Sequence, residues 1–263
     1  MGNPVSAIQQ RYVSKDLTHF AGRSKKTPEE QYQLLLQIVR SGELRADPMC
    51  APGKRVVSGR THYGTARFSN CETYEFPGVC FCDIPLADLA IHARKYSCFG
   101  IAFQKQFLVA KGASPVLYLA NDSRITVAAN HDLGIDNRSY TRKEFFDLMF
   151  PRFDGLCSDL AFQARNVRPA PSQAVEELAQ TALLVEGLQD YIKQYLLSYC
   201  KAFEANRDDD DERHFYMERE WRVLDDVLFA VSDIERLVVP RSFSKQLRDD
   251  LPGFYGQTYF LDL

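Results

Sequence analysis

The sequence predicts a single α+β domain with a mixed or antiparallel β-sheet core and a helical insertion over residues 140–205. Short apolar runs alternate with amphipathic helical patterns in the first 120 residues, and strand patterns return near residue 218. With 263 residues and 45% hydrophobic content, the chain can bury one large core without disulfides. We therefore treat residues 1–263 as one domain.

A short strand and a capped helix are the first predicted elements. Residues 17–20 form the strand, and a basic loop over residues 22–26 follows it. Thr27 suits an N-cap and Pro28 suits the first helical position, after which apolar residues recur with helical spacing. Gly42 then ends the helix.

The next stretch combines an irregular segment with a strand. Residues 46–76 are rich in Pro, Gly, Ser and Arg without a sustained period, which predicts a surface loop with at most short strands. Residues 79–84 form an apolar strand that Pro85 ends, and a helix follows over residues 86–96.

Strands over residues 100–103 and 115–119 flank a short helix over residues 106–111, which completes a β-α-β-α-β core. Residues 140–150 and 172–204 are predicted to be helical. The remaining predictions are strands over residues 218–224, 236–239 and 257–261 and a helix over residues 242–250.

Charge and hydropathy exclude some classes of protein. The 32 basic and 35 acidic residues give a formal net charge of −3, so a nucleic-acid site would have to be local. No apolar run approaches the roughly 20 residues that span a bilayer, and the first residues lack an apolar signal segment. We therefore expect a cytoplasmic protein without membrane association.

The seven cysteines are scattered and odd in number, which suits reduced thiols. A zinc site could be assembled on paper from Cys80 and Cys82 together with Cys71, Cys98 and His92. The spacing resembles no standard zinc motif, so no metal is expected.

Four segments carry a resemblance to a known family: LTHFAG (17–22), GVCFCDIPLADLAIHARKY (78–96), FGIAFQK (99–105) and EREWRVL (218–224). Together they resemble the AbiGi family of bacterial abortive phage resistance proteins. The resemblance implies an anti-phage or toxin–antitoxin setting, with a toxin or antitoxin protein or a macromolecular acceptor as the partner.

A second resemblance is to the ADP-ribosyltransferase fold, which has a His or Arg on its first strand, an aromatic residue on a second strand and a Glu on a late strand. LTHFAG, GVCFCD with the helix ending at Tyr96, and EREWR are similar to these elements in the same order. Glu218 and Glu220 resemble the paired glutamates of arginine-specific transferases. The sequence departs from the pattern at Cys80, where a tyrosine is expected.

The transferase resemblance implies NAD as the cofactor. Cleavage of the nicotinamide bond passes through an oxocarbenium-like state, which a carboxylate such as Glu220 would stabilise. His19 would hydrogen-bond the other ribose, and Tyr96 or Phe81 would stack on nicotinamide. Thr18 or a nearby backbone amide would hold the carboxamide.

Structural interpretations compete with these roles. On a regular strand Glu218, Glu220 and Arg222 share one face, which is also typical of a charge-paired surface, while Trp221 turns into the core. His19 lies in a mostly apolar strand and suits a half-buried structural histidine. The helical row of Asp88, His92 and Tyr96 suits either a site wall or an exposed stripe.

Two other functions fit the sequence. Arg207 and His214 have the R-x6-H spacing of HEPN ribonucleases, although the residues between them are mostly acidic and would repel RNA. A non-catalytic antitoxin that binds a partner protein is the other alternative. A cleft lined jointly by His19, Tyr96 and Glu220 would favour the transferase, and their dispersal would favour the binding protein.

Overall fold

The computed structural model describes residues 14–46, 60–61, 74–75, 77–120, 123, 153, 155–163, 166, 173–208, 211 and 214–262. The chain divides into two compact units. The first unit is Met1–Arg55, Gly78–Pro115 and Met217–Leu263, and the second is Val56–Pro77 and Val116–Tyr216. The predicted helix over residues 140–150 lies outside the described residues.

The described residues form thirteen β-strands and six α-helices. The strands are β1 (Asp16–Phe20), β2 (Glu43–Leu44), β3 (Arg60–Thr61), β4 (Tyr74–Glu75), β5 (Val79–Cys82), β6 (Gly100–Gln104), β7 (Ser114–Pro115), β8 (Leu117–Ala120), β9 (Cys200–Phe203), β10 (Glu220–Val223), β11 (Val227–Leu228), β12 (Ile234–Pro240) and β13 (Gln257–Leu261). The α-helices are α1 (Pro28–Ser41), α2 (Leu89–Lys95), α3 (Lys105–Ala110), α4 (residues 155–163), α5 (Gln173–Tyr191) and α6 (Ser244–Asp250).

A seven-stranded sheet forms the centre of the first unit, in the order β13-β12-β6-β1-β5-β10-β7. β12 and β13 run parallel, whereas the other neighbours in this sheet pair antiparallel. The predicted α+β class with a mixed sheet is therefore confirmed. The three strands that carry the transferase resemblance, β1, β5 and β10, are neighbours in its middle.

Helix α1 follows the local signals in the sequence. The Thr27 hydroxyl accepts a hydrogen bond from the Glu30 amide at 3.2 Å, and the Glu30 carboxylate accepts one from the Thr27 amide at 3.2 Å. Gly42 ends the helix with a left-handed φ of 67°. The buried face contains Tyr32, whose hydroxyl donates to Asp250 at 2.8 Å and so connects α1 to α6.

The strand predicted over residues 115–119 is two strands. β7 pairs with β10, and β8 pairs in parallel with β9 in the second unit. Pro115 has no amide hydrogen to donate, which limits the β7 ladder at that residue.

The helix predicted over residues 172–204 is shorter than expected. It ends at Tyr191, a π-helical turn and a 3₁₀ turn follow, and Cys200–Phe203 is a strand rather than a helix. The strand forms because its backbone groups pair with those of β8, residue for residue from Leu117 opposite Cys200 to Ala120 opposite Phe203.

Candidate functional site

The three strands that carry the predicted site residues, β1, β5 and β10, are neighbours in the large sheet. Thr18 of β1 lies opposite Cys82 of β5, and Cys82 lies opposite Glu220 of β10. Because directly opposed residues share a face of a sheet, Thr18, Cys82 and Glu220 form a row on one face. Helix α2 covers that face, since Leu89 and Ala93 pack in one apolar cluster with Cys82.

Glu220 is buried, with only 6% of its surface exposed. Its Oε1 accepts a hydrogen bond from Arg222 Nε at 2.6 Å, and this ion pair is also buried. The two residues are two positions apart on a strand and lie on the same face, as the alternation predicted. The ion pair compensates the cost of removing both charges from water.

Glu218 does not lie on the strand. It ends a 3₁₀ turn over Phe215–Glu218, so the predicted strand over residues 218–224 begins two residues late. Its buried Oε1 accepts hydrogen bonds from Lys95 Nζ at 2.7 Å and from the Tyr96 hydroxyl. The end of α2 is therefore fixed to the turn that precedes β10.

Arg219 separates the two glutamates with a left-handed backbone, at a φ of 45°. Its carbonyl accepts a hydrogen bond from the Asp83 amide at 3.2 Å. Such a conformation in a residue with a side chain costs of order 1–3 kcal/mol and is concentrated at functional sites. This turn separates the 3₁₀ turn that ends at Glu218 from the regular strand that begins at Glu220, and the charges of both residues act on Tyr96.

Tyr96 lies next to both carboxylates. Burial raises the pKa of its phenol, and the charges of Glu218 and Glu220 raise it further. The phenol is therefore a hydrogen-bond donor at neutral pH. Its ring stacks on Phe20 at a centroid distance of 6.4 Å, and Arg23 lies 5.1 Å from the ring centroid.

Cys82 occupies the centre of the row. Burial raises the pKa of its thiol, and the Asp83 charge adds to this effect. The Cys82 thiol is therefore protonated and neutral at neutral pH. It lies beside Glu220 as a neutral group and not as a thiolate nucleophile.

His19 lies on the opposite face of the sheet from Thr18 and Glu220, because it is opposite Ile101 and adjacent to Thr18 in β1. Its Nδ1 is 2.8 Å from the Cys80 carbonyl oxygen. Burial lowers the pKa of the imidazole against the opposing effect of this hydrogen bond. The neutral ring therefore donates from Nδ1 and presents Nε2 as an acceptor.

β1 and β5 share only the Thr18–Cys82 pair, whereas β1 pairs with β6 over five residues. His19 extends across the gap where β1 and β5 separate. Phe81 is 2% exposed and its ring packs edge-on against Phe103 at 6.3 Å, in the core of the His19 face. The structure thus brings Thr18, Tyr96, Glu218 and Glu220 to one face and places His19 and Phe81 on the other. Of the three residues whose joint lining of a cleft would favour the transferase, only Tyr96 and Glu220 come together, and His19 is separate from them.

Trp221 was expected in the core but is half-buried. It lies opposite Phe81 and Pro115, on the face away from Glu220, as predicted. The Lys105 ammonium lies over the indole ring at 5.7 Å from its centroid, so one face of Trp221 packs against a charged side chain rather than in an apolar interior.

Lys95 is a residue of this site that the sequence did not single out, and His92 was named only for a possible site wall or zinc site. His92 is buried, and its Nδ1 has no hydrogen-bond partner. Burial lowers its pKa to about 4, although the Glu218 charge acts in the opposite direction. The helical spacing of Asp88, His92 and Tyr96 was the feature of the sequence that could have pointed to His92. No pattern in the sequence pointed to Lys95.

The comparisons with known proteins identify the family. The model of the family described as "Putative abortive phage resistance protein AbiGi, antitoxin" matches residues 54–250. The chain belongs to the AbiGi family. A relative from Lactococcus lactis subsp. cremoris, "Abortive phage resistance protein AbiGi", is 26% identical over 191 residues, which is 65% of this chain and 74% of the relative. No solved structure matches.

Membership of the AbiGi family supports a function in abortive phage resistance. The matched range contains β5, α2 and β10, so it includes Tyr96 and both glutamates. The segment LTHFAG, which carried part of the resemblance, precedes the matched range. No helix among the described residues has the length and apolar character needed to cross a membrane.

The structure also bears on the metal and ribonuclease alternatives. Within the described part of the chain, no three His, Cys, Asp or Glu side chains are grouped as a metal site would require. Arg207 and His214 lie in a loop rather than on a helix, and Arg207 pairs with Glu204 at 2.8 Å and Asp211 at 2.5 Å. This arrangement does not match the helical pair of a HEPN nuclease.

Proposed function

We propose that the protein contributes to abortive phage resistance as an ADP-ribosyltransferase-like enzyme that uses NAD. One observation carries the proposal: β1, β5 and β10 are adjacent, and two buried glutamates meet Tyr96 at this point. Clusters of buried ionisable groups with perturbed pKa values are concentrated at functional sites. The left-handed Arg219 between the glutamates is a second feature of such sites.

Glu220 is the proposed catalytic carboxylate. Positive charge develops on the ribose as the nicotinamide bond breaks, and a fixed negative charge nearby lowers the energy of that state. Arg222 holds the Glu220 side chain in one orientation through the 2.6 Å hydrogen bond. Little reorganisation would then be needed during the reaction.

The remaining predicted residues take roles that depend on their face. Tyr96 is the proposed stacking partner of nicotinamide, since Phe81 lies in the core. Thr18, on the same face as Glu220, is proposed to hold the carboxamide. His19 lies on the opposite face of the sheet from Glu220, so the proposal gives it no contact with the ribose that Glu220 faces.

The purified protein offers a direct test with NAD. Nicotinamide release from NAD should be measurable by chromatography, and carba-NAD, which cannot be cleaved, should raise the melting temperature. A ligand that binds only the native state must stabilise it. If nicotinamide is not released and carba-NAD leaves the melting temperature unchanged, the transferase proposal is rejected.

A second candidate function is that of an antitoxin that binds a partner protein. The observation in its favour is a row of exposed apolar side chains on α5 at helical spacing: Leu184 is 75%, Leu188 55% and Tyr191 59% exposed. The family description also contains the word antitoxin. If this function is correct, a charged residue at Leu184 should abolish phage protection without changing the melting temperature.

A further inference from the structure

His92 lies beside the buried Glu218, whose charge acts on its imidazole. It lies on α2, three residues before Lys95 and four before Tyr96, the two residues that donate to Glu218. Only 5% of His92 is exposed, yet its Nδ1 has no hydrogen-bond partner. A buried polar atom without a partner costs free energy and requires an explanation.

The charged groups that act on the imidazole come from three elements. Lys95 and Asp88 belong to α2 and to the turn before it, and Glu218 belongs to the turn before β10. Burial is the strongest influence and holds the pKa near 4, so the imidazole is neutral at physiological pH. In the tautomer that carries its proton on Nε2, a neutral imidazole can accept a hydrogen bond from a hydroxyl group at Nδ1 and take its proton.

We propose that His92 is the general base of the reaction and accepts, at Nδ1, the proton of the attacking nucleophile, which is water or a hydroxyl group. This inference rests on the proposed function, because it assumes that NAD is cleaved at this cluster. It also explains why a buried nitrogen lacks a partner in the free protein: the nucleophile is the missing partner.

The reaction replaces the bond from ribose C1′ to nitrogen with a bond from C1′ to oxygen. The bond between ribose C1′ and the pyridinium nitrogen breaks, and its electron pair leaves with nicotinamide, which becomes neutral. A bond forms between C1′ and the nucleophile's oxygen, whose proton passes to Nδ1 of His92. The imidazolium then releases the proton to solvent, and with water as nucleophile the products are ADP-ribose, nicotinamide and one proton.

The test uses His92→Gln in the full-length protein, with Arg94→Gln on the exposed side of α2 as the matched control. Loss of a general base lowers rates by about 10²–10⁴-fold. NAD hydrolysis by His92→Gln should fall by at least about 10²-fold, whereas carba-NAD binding and the Arg94→Gln rate should be unchanged. Sodium azide should restore cleavage by His92→Gln and yield ADP-ribosyl azide, because the azide anion has no proton to lose.

Glu220→Gln separates the two proposals. Azide should not restore its activity, since its defect is the loss of charge stabilisation rather than of proton transfer. If the wild type cleaves NAD but His92→Gln cleaves it equally well, or is not restored by azide, the role of His92 is wrong and the proposed function stands. If the wild type does not cleave NAD, both are wrong.

If His92→Gln does not fold, His92→Asn, which has a shorter side chain, replaces it in the same measurements. A measurement on the wild type tests whether the rate-limiting step transfers a proton at all, whichever residue accepts it. Hydrolysis should be slower in deuterium oxide, and the isotope effect should disappear when azide is the nucleophile. An isotope effect of unity with water would overturn the assignment.

Discussion

At the scale of single residues, the two glutamates differ in what holds them. Glu220 pairs with Arg222 on its own strand, whereas Glu218 is held by Lys95 and Tyr96 from another element. Each buried carboxylate has a cation within hydrogen-bonding distance, and such pairing offsets the large cost of burying a charge. Substitutions at either glutamate will therefore change stability as well as chemistry.

Glu220→Gln should lower NAD turnover by about 10²–10³-fold, because one well-placed charge is lost where positive charge develops. The free energy of unfolding should fall by about 1–3 kcal/mol, since Arg222 keeps an acceptor but loses its counter-charge. Turnover by quantified nicotinamide release and urea denaturation measure the two effects separately.

Glu177→Gln is the control for this substitution, because Glu177 lies exposed on α5. It should retain wild-type turnover and stability. Equal turnover by Glu220→Gln and the wild type, at a temperature where both are folded, would remove Glu220 from the mechanism.

The pH dependence of stability should report the buried His92. Its pKa is about 4 in the folded protein and about 6.5 in the unfolded chain, so the unfolded chain binds more protons between these values. The free energy of unfolding should therefore fall as pH decreases from 6.5 to 4, by up to about 3 kcal/mol from this group. Burial lowers the pKa of His19 as well, which acts in the same direction.

His92→Gln should show a shallower loss of stability over the same window, because the histidine contribution is absent. Chemical denaturation at half-unit pH intervals measures both slopes. Parallel curves for the wild type and the variant would mean that His92 titrates normally in the folded state.

At the scale of elements, the structure shows which parts of the fold local sequence determines. Helix α1 was predicted with its cap and end because Thr27, Pro28 and Gly42 act within one turn of their own positions. The pairing of β8 with β9 was not predicted, since it joins segments about 80 residues apart whose contacts leave no local pattern. The sequence therefore predicted a helix over residues that include Cys200–Phe203.

The candidate site was also predictable only where the local structure is regular. Glu220 and Arg222 share a face because strand alternation is regular within β10. Glu218 was misplaced because the left-handed Arg219 breaks that regularity, and no glycine marked the turn. The vacant nitrogen of His92 depends on which side chains pack around α2, and sequence spacing does not show this.

Two glycine substitutions should have opposite effects on stability. Gly42→Ala should destabilise the protein by more than about 1 kcal/mol, because the φ is 67° and a Cβ would lie 2.6 Å from the Phe229 carbonyl oxygen. Gly187→Ala should stabilise α5 by roughly 0.5–1 kcal/mol, since a Cβ there meets nothing within 4 Å. Thermal denaturation of both variants checks the sign, and a stabilised Gly42→Ala would contradict the cap geometry.

At the scale of the whole molecule, the two candidate functions belong to different units. The glutamates, Tyr96 and His92 lie in the first unit, and the apolar row on α5 lies in the second. The family match covers segments of both, so it does not favour one over the other. Variants confined to one unit can therefore assign phage protection to either function.

Phage protection should follow the site in the first unit. If NAD cleavage causes protection, Glu220→Gln should abolish it, whereas the double variant Leu184→Glu and Leu188→Glu should protect as well as the wild type. Plating efficiency of a phage that the wild type restricts, at matched protein levels, measures this. The reverse result, protection by Glu220→Gln and none by the double variant, would assign the function to partner binding, because charged residues remove an apolar contact surface without touching the buried carboxylates.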